Sequence, residues 1–207
     1  MNLLIAIDVD DAAYIGKVFP CMDKNSSVRF VKQASEFLIS DEADFYFDFT
    51  FDGKLYSPPH KPLLVNETIT PIAEFQNDHE FVGRFCGWWG FAERKTWEIA
   101  ASANYPEWLP ALMTIIDKHY KIVEDIPGLI APRILATIIN EAFYLLEEEV
   151  STAEQIDMAM KAGTNYPHGP FTWGKKIGYQ NIFNLLYRLN ESDPAYKPHP
   201  LLLNNNL

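Results

Sequence analysis

Residues 126–178 read IPGLIAPRILATIINEAFYLLEEEVSTAEQIDMAMKAGTNYPHGPFTWGKKIG, and the organisation of the chain follows from this stretch. Pro127-Gly128 breaks whatever precedes it. From Leu129 to Leu146 apolar side chains occupy nearly every turn, at Ile130, Ile134, Leu135, Ile138, Ile139, Ala142, Phe143, Leu145 and Leu146. A helix apolar around most of its circumference is buried on more than one side, inside a domain or between subunits. Ser151-x-x-Glu154 has the form of a capping box, which predicts a helix carrying Ile156, Met158, Ala159, Met160 and Ala162 and ending at Gly163 as its C′ glycine. Tyr166-Pro-His-Gly-Pro170 is a rigid turn that launches a third helix.

Composition sets the outer bounds. With 207 residues, 48% of them hydrophobic, the chain has ample material for a sizeable core in one or two domains. Seventeen basic against 28 acidic residues give a net charge of −11 with no Lys/Arg cluster, so a nucleic-acid or anionic-membrane surface is not expected. Cys21 and Cys86 fit no zinc spacing and require no disulfide, which suits a reducing compartment. The start Met-Asn-Leu-Leu-Ile lacks a basic n-region and no apolar run approaches the length of a membrane span, so a cytoplasmic protein is expected.

In chain order, Leu3 to Val9 is a short run of branched apolar residues and reads as a buried strand. A dinucleotide-binding unit places G-x-G-x-x-G after such a strand, where glycines admit the pyrophosphate to a helix N-terminus. This chain has Asp8-Val9-Asp10-Asp11-Ala12-Ala13 instead, and its carboxylates repel a pyrophosphate. Asp8-x-Asp10 also resembles the magnesium-carboxylate loop of haloacid-dehalogenase-like phosphatases, without the Thr that often follows and without any later supporting motif. Ser26 or Ser27 caps a predicted helix through Ile39 with Val28, Phe30, Val31, Ala34, Phe37 and Leu38 on its apolar face. Asp44 to Phe51 alternates aromatic and polar residues and predicts a half-exposed strand. Further strands are predicted at Pro62–Val65, Phe81–Cys86, Trp97–Ala100 and Lys121–Glu124, and an amphipathic helix at Pro106–Tyr120. This alternation argues an α/β sheet domain over residues 1–125 and an all-α domain over 126–207. Asn181–Leu189 adds a last amphipathic helix.

Several of these segments share spacing with one family. Pro127-Gly128, Arg133, Asn140-Glu141-Ala142, Leu145 to Glu148, Ala159 to Gly163 and Gly169-Pro170 follow the pattern PGF-x-x-NR, NEA, LLEEG and AMKLGxxxPMGP. The chain therefore resembles the 3-hydroxyacyl-CoA dehydrogenases at the start of their C-terminal domain. The resemblance implies a cut-down Rossmann-like sheet domain followed by a helical domain that mediates dimer formation and closes over an acyl-CoA. Asn66-Glu-Thr68 resembles the family's S-N-T-S-S segment, which lines the substrate and nicotinamide side of the cleft. Pro198-His-Pro200-Leu-Leu resembles its closing P-x-P-L-L.

By position, the resemblance carries catalytic roles to Glu98 and Thr68 and substrate contacts to Asn66, Tyr166, His168, Gly169 and Pro170. Three of the family's parts are replaced. The glycine loop is acidic, the catalytic His falls at Phe85 or Cys86, and the Asn of the PGF-x-x-NR motif falls at Pro132. A general base needs a pKa near the working pH, which phenylalanine cannot supply. The expectation is a homodimeric relative that uses no NAD, the family's cofactor, and no metal, and that binds an acyl-CoA or serves in assembly. The alternative is an active dehydrogenase with an altered or partner-completed site. Trp88-Trp89, where the family has Asn-Pro, is expected to fill the emptied nicotinamide pocket as core.

Overall fold

The computed structural model describes residues 1–7, 12–39, 42–58, 60–75, 79–102 and 106–203. The acidic loop Asp8–Asp11, on which both the loss of the pyrophosphate site and the phosphatase-like reading rest, lies outside the described residues. The chain divides into two compact units, Met1–Leu129 and Ile130–Leu207.

The first unit is a sheet of seven strands: β1 (Asn2–Ala6), β2 (Ser27–Val31), β3 (Phe45–Asp48), β4 (Leu63–Asn66), β5 (Val82–Phe85), β6 (Thr96–Ala101) and β7 (His119–Ile122). Their spatial order is β2-β1-β3-β4-β5-β6-β7, and every neighbouring pair is parallel except β5 with β6. Strand order reverses between β1 and β3, a topological switch point of the doubly wound type. Among the described residues this unit has three helices, α1 (Ala12–Val18), α2 (Ile72–Phe75) and α3 (Leu109–Ile115), with a 3₁₀ turn at Ala34–Ile39.

Strands covered on both faces read as continuous apolar runs, because alternate residues enter different cores. Leu3, Ile5, Phe45, Phe47, Leu64, Phe85, Trp97 and Ile99 pack with Val18, Phe19, Leu109, Leu112 and Met113 on one side. Leu4, Ala6, Tyr46, Leu63 and Val65 pack with Ala34, Phe37 and Ala43 on the other. The first core is dominated by rings: Phe85 stacks on Trp97 with centroids 4.6 Å apart and planes at 11°, and Phe47 meets Phe85 edge-on at 5.0 Å.

Four expectations need correction here. The helix from Ser26 to Ile39 is instead strand β2 followed by the 3₁₀ turn: residues at helical spacing, Val28 and Val31, are β-branched and pair in register beside β1. Residues 44–51 do not form a half-exposed strand. β3 lies between β1 and β4 and is buried along its whole length, Asp48 included. The helix predicted over Pro106–Tyr120 is confined to Leu109–Ile115, since Asp117 turns the chain with φ 52° and His119 and Tyr120 already belong to β7. Trp88 and Trp89 are half-buried in the turn after β5 and are not part of the sheet cores.

The second unit contains α4 (Ala131–Glu147), α5 (Ala153–Thr164), α6 (Pro170–Ile177) and α7 (Tyr179–Asn190). The cap of α5 sits one residue later than the capping box suggests: Thr152 is the N-cap and its hydroxyl accepts from the Gln155 N–H at 3.4 Å, while Ser151 bonds the Gln155 side chain. The stop is also later. Asn165, in left-handed backbone at φ 55°, ends the helix in place of Gly163. Asp157 of α5 caps α6, accepting from the Phe171 and Thr172 N–H groups at 2.8 and 3.0 Å and from the Thr172 hydroxyl at 2.6 Å. Buried Asn140 on α4 fastens the C-terminal segment, with Oδ1 accepting from His199 N–H at 2.7 Å and Nδ2 donating to the Lys197 carbonyl at 3.0 Å. His199 Nδ1 accepts from Leu201 N–H at 3.2 Å, so the ring proton resides on Nε2 and faces Glu147 at 3.0 Å.

Asp48 leaves a thermodynamic signature. Its carboxyl accepts from the Thr50 N–H and hydroxyl at 2.7 and 2.8 Å, yet burial, aided by the nearby Asp52 charge, pushes its pKa up to about 6. The folded state thus holds a proton that the unfolded chain has released between about pH 4 and pH 6. Stability falls as pH rises through that window, by on the order of 2–3 kcal/mol. Asp48→Asn is expected to be more stable than the parent by that order at pH 7.5 and equal to it near pH 4. Urea unfolding at the two pH values measures both differences.

Candidate functional site

The candidate site of the sheet unit forms where β4 and β5 end and β6 passes alongside. Asn66 closes β4, and both ends of its amide are used: Oδ1 accepts from Gly87 N–H at 2.7 Å and Nδ2 donates to the Phe49 carbonyl at 3.3 Å. Gly87 has no room for a side chain, because a Cβ there would run into the Asn66 amide. Asn66 is therefore a brace between strand ends.

Thr68 follows on the segment between β4 and α2 and is 4% exposed. Its hydroxyl is buried without a hydrogen bond of ordinary geometry. It lies beside the Cys86 thiol and favours the thiolate slightly, as do the Trp88 N–H and the Arg94 charge. Burial outweighs all three, with Glu98 adding to it, and pushes the Cys86 pKa up to about 12. Glu98, half-buried on β6 and paired in register with Lys121 of β7, completes this group. The structure thus brings Thr68, Cys86 and Glu98 together, while Phe85, the alternative position for a base, is a fully buried core ring stacked on Trp97.

The loop after Cys86 is tied down by Lys118, itself 5% exposed. Its ammonium donates to the Ala92 and Arg94 carbonyls at 3.0 and 2.9 Å and stands 5.0 Å from the centre of the Trp97 ring. Burial lowers its pKa to about 8. Arg84, one residue before Phe85, bonds Asp125 and the backbone of Thr68. Neither cation entered the sequence reading. A single arginine inside the apolar strand FVGRFC was the available signal for Arg84, because a charge in a central strand demands a buried partner.

In the helical unit, Tyr166 is exposed, and half-buried His168 meets the Trp173 ring edge-on at 5.4 Å. Gly169 is the N-cap of α6, and a Cβ there would collide with the Asp157 main chain. Pro170 is buried in the first turn of α6. Pro132 is likewise buried in the first turn of α4, behind the N-cap Ile130. Gly169 and Pro170 therefore each have a packing reason to be what they are. Among the described residues no group of three His, Cys, Asp or Glu is placed to hold a metal ion, and no helix is long and apolar enough to cross a membrane.

Comparison with known proteins follows the same division. Residues 128–205 match the model of the 3-hydroxyacyl-CoA dehydrogenase C-terminal domain. The chain is 42% identical over 82 residues to 3-hydroxyadipyl-CoA dehydrogenase of Escherichia coli, covering 39% of this chain and 17% of that one. It is 31% identical over 154 residues to a probable 3-hydroxybutyryl-CoA dehydrogenase of Bacillus subtilis, covering 70% of this chain and 54% of that one. The chain spans about half or less of these curated relatives. Its fold is that of (S)-3-hydroxybutyryl-CoA dehydrogenase PaaH1 from Ralstonia eutropha, with TM-score 0.68 at 20% identity over 84% of this chain and 68% of that one.

The two thiols are expected to behave differently. Cys21 is exposed and Cys86 is buried with a raised pKa. An aromatic disulfide reagent at pH 8 should release one equivalent of thiolate from the native protein and the second only on unfolding. Rapid reaction of both, with Cys21→Ser leaving one fast equivalent, would contradict the geometry around Cys86.

Proposed function

The chain belongs to the 3-hydroxyacyl-CoA dehydrogenase family through its helical half, and on that footing we propose that it binds an acyl-CoA-type ligand without transferring hydride itself. One observation carries this reading: neither residue at the place of the family's general base takes up a proton near neutral pH. Phe85 has no basic atom. Cys86 is a buried thiol whose pKa burial pushes up to about 12, so near neutral pH it keeps its proton. Glu98 keeps the position of the family's glutamate while Phe85 or Cys86 stands at the position of its histidine. Pro132, at the position of the family's substrate-contacting Asn, offers neither a side-chain donor nor an N–H.

The residues present also do not fit NAD in the family's manner. The sequence after β1 has three carboxylates in place of glycines, and Asp48, at the end of the neighbouring β3, adds another acidic group at the sheet's switch point. A pyrophosphate is attracted by free backbone N–H groups and positive charge, and is repelled here. Ligand binding itself is supported by Thr68, whose buried hydroxyl has its hydrogen-bonding capacity to spare. It is supported as well by the family turn Tyr166–Pro170, preserved in the helical unit.

The same proposal includes a homodimer formed through the helical unit. Ile130, the N-cap of α4, and Ile134 on its first turn are 52% and 53% exposed, and half-buried Ile138 continues the stripe. A contiguous apolar stripe of this kind is suited to self-complementary twofold packing.

Calorimetric titration with acetoacetyl-CoA should give saturable heat, without acetoacetyl-CoA-dependent consumption of NADH, on a species that sediments as a dimer. No heat at high micromolar ligand would leave a scaffolding role alone. NADH turnover abolished by Glu98→Gln would establish the active-dehydrogenase reading instead, and a monomer at micromolar concentration would remove the dimer.

A further inference from the structure

Arg84 lies in the middle of β5 with no exposed surface, and its guanidinium ties two other pieces of chain to that strand. Nε binds Asp125 Oδ1 at 2.5 Å, Nη2 donates to the Ile126 carbonyl at 2.7 Å, and Nη1 donates to the Glu67 and Thr68 carbonyls at 3.3 and 3.2 Å. The second oxygen of Asp125 accepts from the Ile72 N–H at 2.8 Å, fixing the start of α2. Gly128 N–H closes the ring on the Thr68 carbonyl, also at 2.8 Å. Strand β5, the Thr68 segment and the connector Asp125–Gly128 thus share one closed circuit of bonds.

Two further features sit on this circuit. The connector holds consecutive residues in left-handed backbone, Gly128 at φ 82° and Leu129 at φ 51°. Leucine adopts that conformation only where surrounding bonds over-determine it. On the opposite side of the circuit, the Thr68 side chain presents a buried hydroxyl without an ordinary hydrogen bond, a condition that a folded protein leaves at few positions. A ligand acceptor group at that point would satisfy it.

We propose that Arg84 and Asp125 are positioning residues: without touching the ligand, they set the Thr68 hydroxyl at the candidate site and couple its placement to the backbone of the connector that precedes the helical unit. The ligand half of this inference rests on the acyl-CoA reading above; the coupling half does not. Arginine suits the role because its planar fork serves a carboxylate and several carbonyls at once, which a lysine ammonium at the same place cannot do. Replacing Asp125 leaves the fully buried Arg84 guanidinium without its counter-charge, so the circuit opens as a unit.

The coupling is tested on the free protein by amide hydrogen exchange of Asp125→Asn. Exchange at Ile72 and Gly128 is expected to accelerate together by about tenfold or more, with α4 to α7 unchanged. Acceleration confined to residues 124–130 would overturn the proposal. The positioning role is tested by a double-mutant cycle of Thr68→Val and Asp125→Asn, titrated calorimetrically with acetoacetyl-CoA. Each single variant should bind about tenfold more weakly, and the double variant no worse than either. Losses that multiply to about a hundredfold would show that Asp125 acts on overall integrity alone. If the parent chain binds no acetoacetyl-CoA, the ligand reading fails and the exchange experiment decides the coupling. Arg84→Lys, which retains the cation, replaces Asp125→Asn in both experiments if that variant does not fold.

Discussion

The sheet unit depends on a buried cation. Arg84 occupies a central strand with apolar residues on either side, a position where an unpaired guanidinium is untenable. Its pairing with Asp125 and three backbone carbonyls makes that position possible, and removing the carboxylate from a buried cation typically costs about 3–5 kcal/mol. Those same bonds draw the end of β4, the start of α2 and the connector after β7 to one point. The Thr68–Cys86–Glu98 group stands beside that point because the strands that carry it end there.

Around this anchor the strand ends are packed with aromatic rings. Phe85 and Trp97 stack where β5 and β6 run alongside each other, and the ring cluster extends through Phe47, Phe49 and Phe19. Such a cluster contributes cohesion to the core and excludes water from the strand ends. Exclusion of water raises the Cys86 pKa and leaves Thr68 short of a partner. The packing that stabilises the unit is thus also what holds Cys86 as a thiol and buries the Thr68 hydroxyl.

The helical half was largely legible because its signals are local. Apolar residues at helical spacing from Leu129 to Leu146 predicted α4, and Pro170 marked the start of α6. Its cap positions were less legible: Thr152 and Asn165 displaced Ser151 and Gly163, residues of similar chemistry a position or two away. In the sheet half, strands with continuous apolar runs were found and those with mixed patterns were misjudged. Val28 and Val31 stand at a helical spacing, and only pairing with β1 decides between helix and strand. Asp48 alternates with aromatics like a solvated residue, although its neighbours on both sides bury it. The role of Arg84 was not readable in advance, because its partner stands 41 positions away and nothing local links the two.

The proposed loss of dinucleotide binding is open to one direct measurement, a fluorescence titration of NADH. No saturable enhancement is expected into the high micromolar range, for the parent protein and for Asp48→Asn alike. Saturable binding at micromolar NADH would contradict it and would make the chain a dehydrogenase with a rebuilt phosphate site.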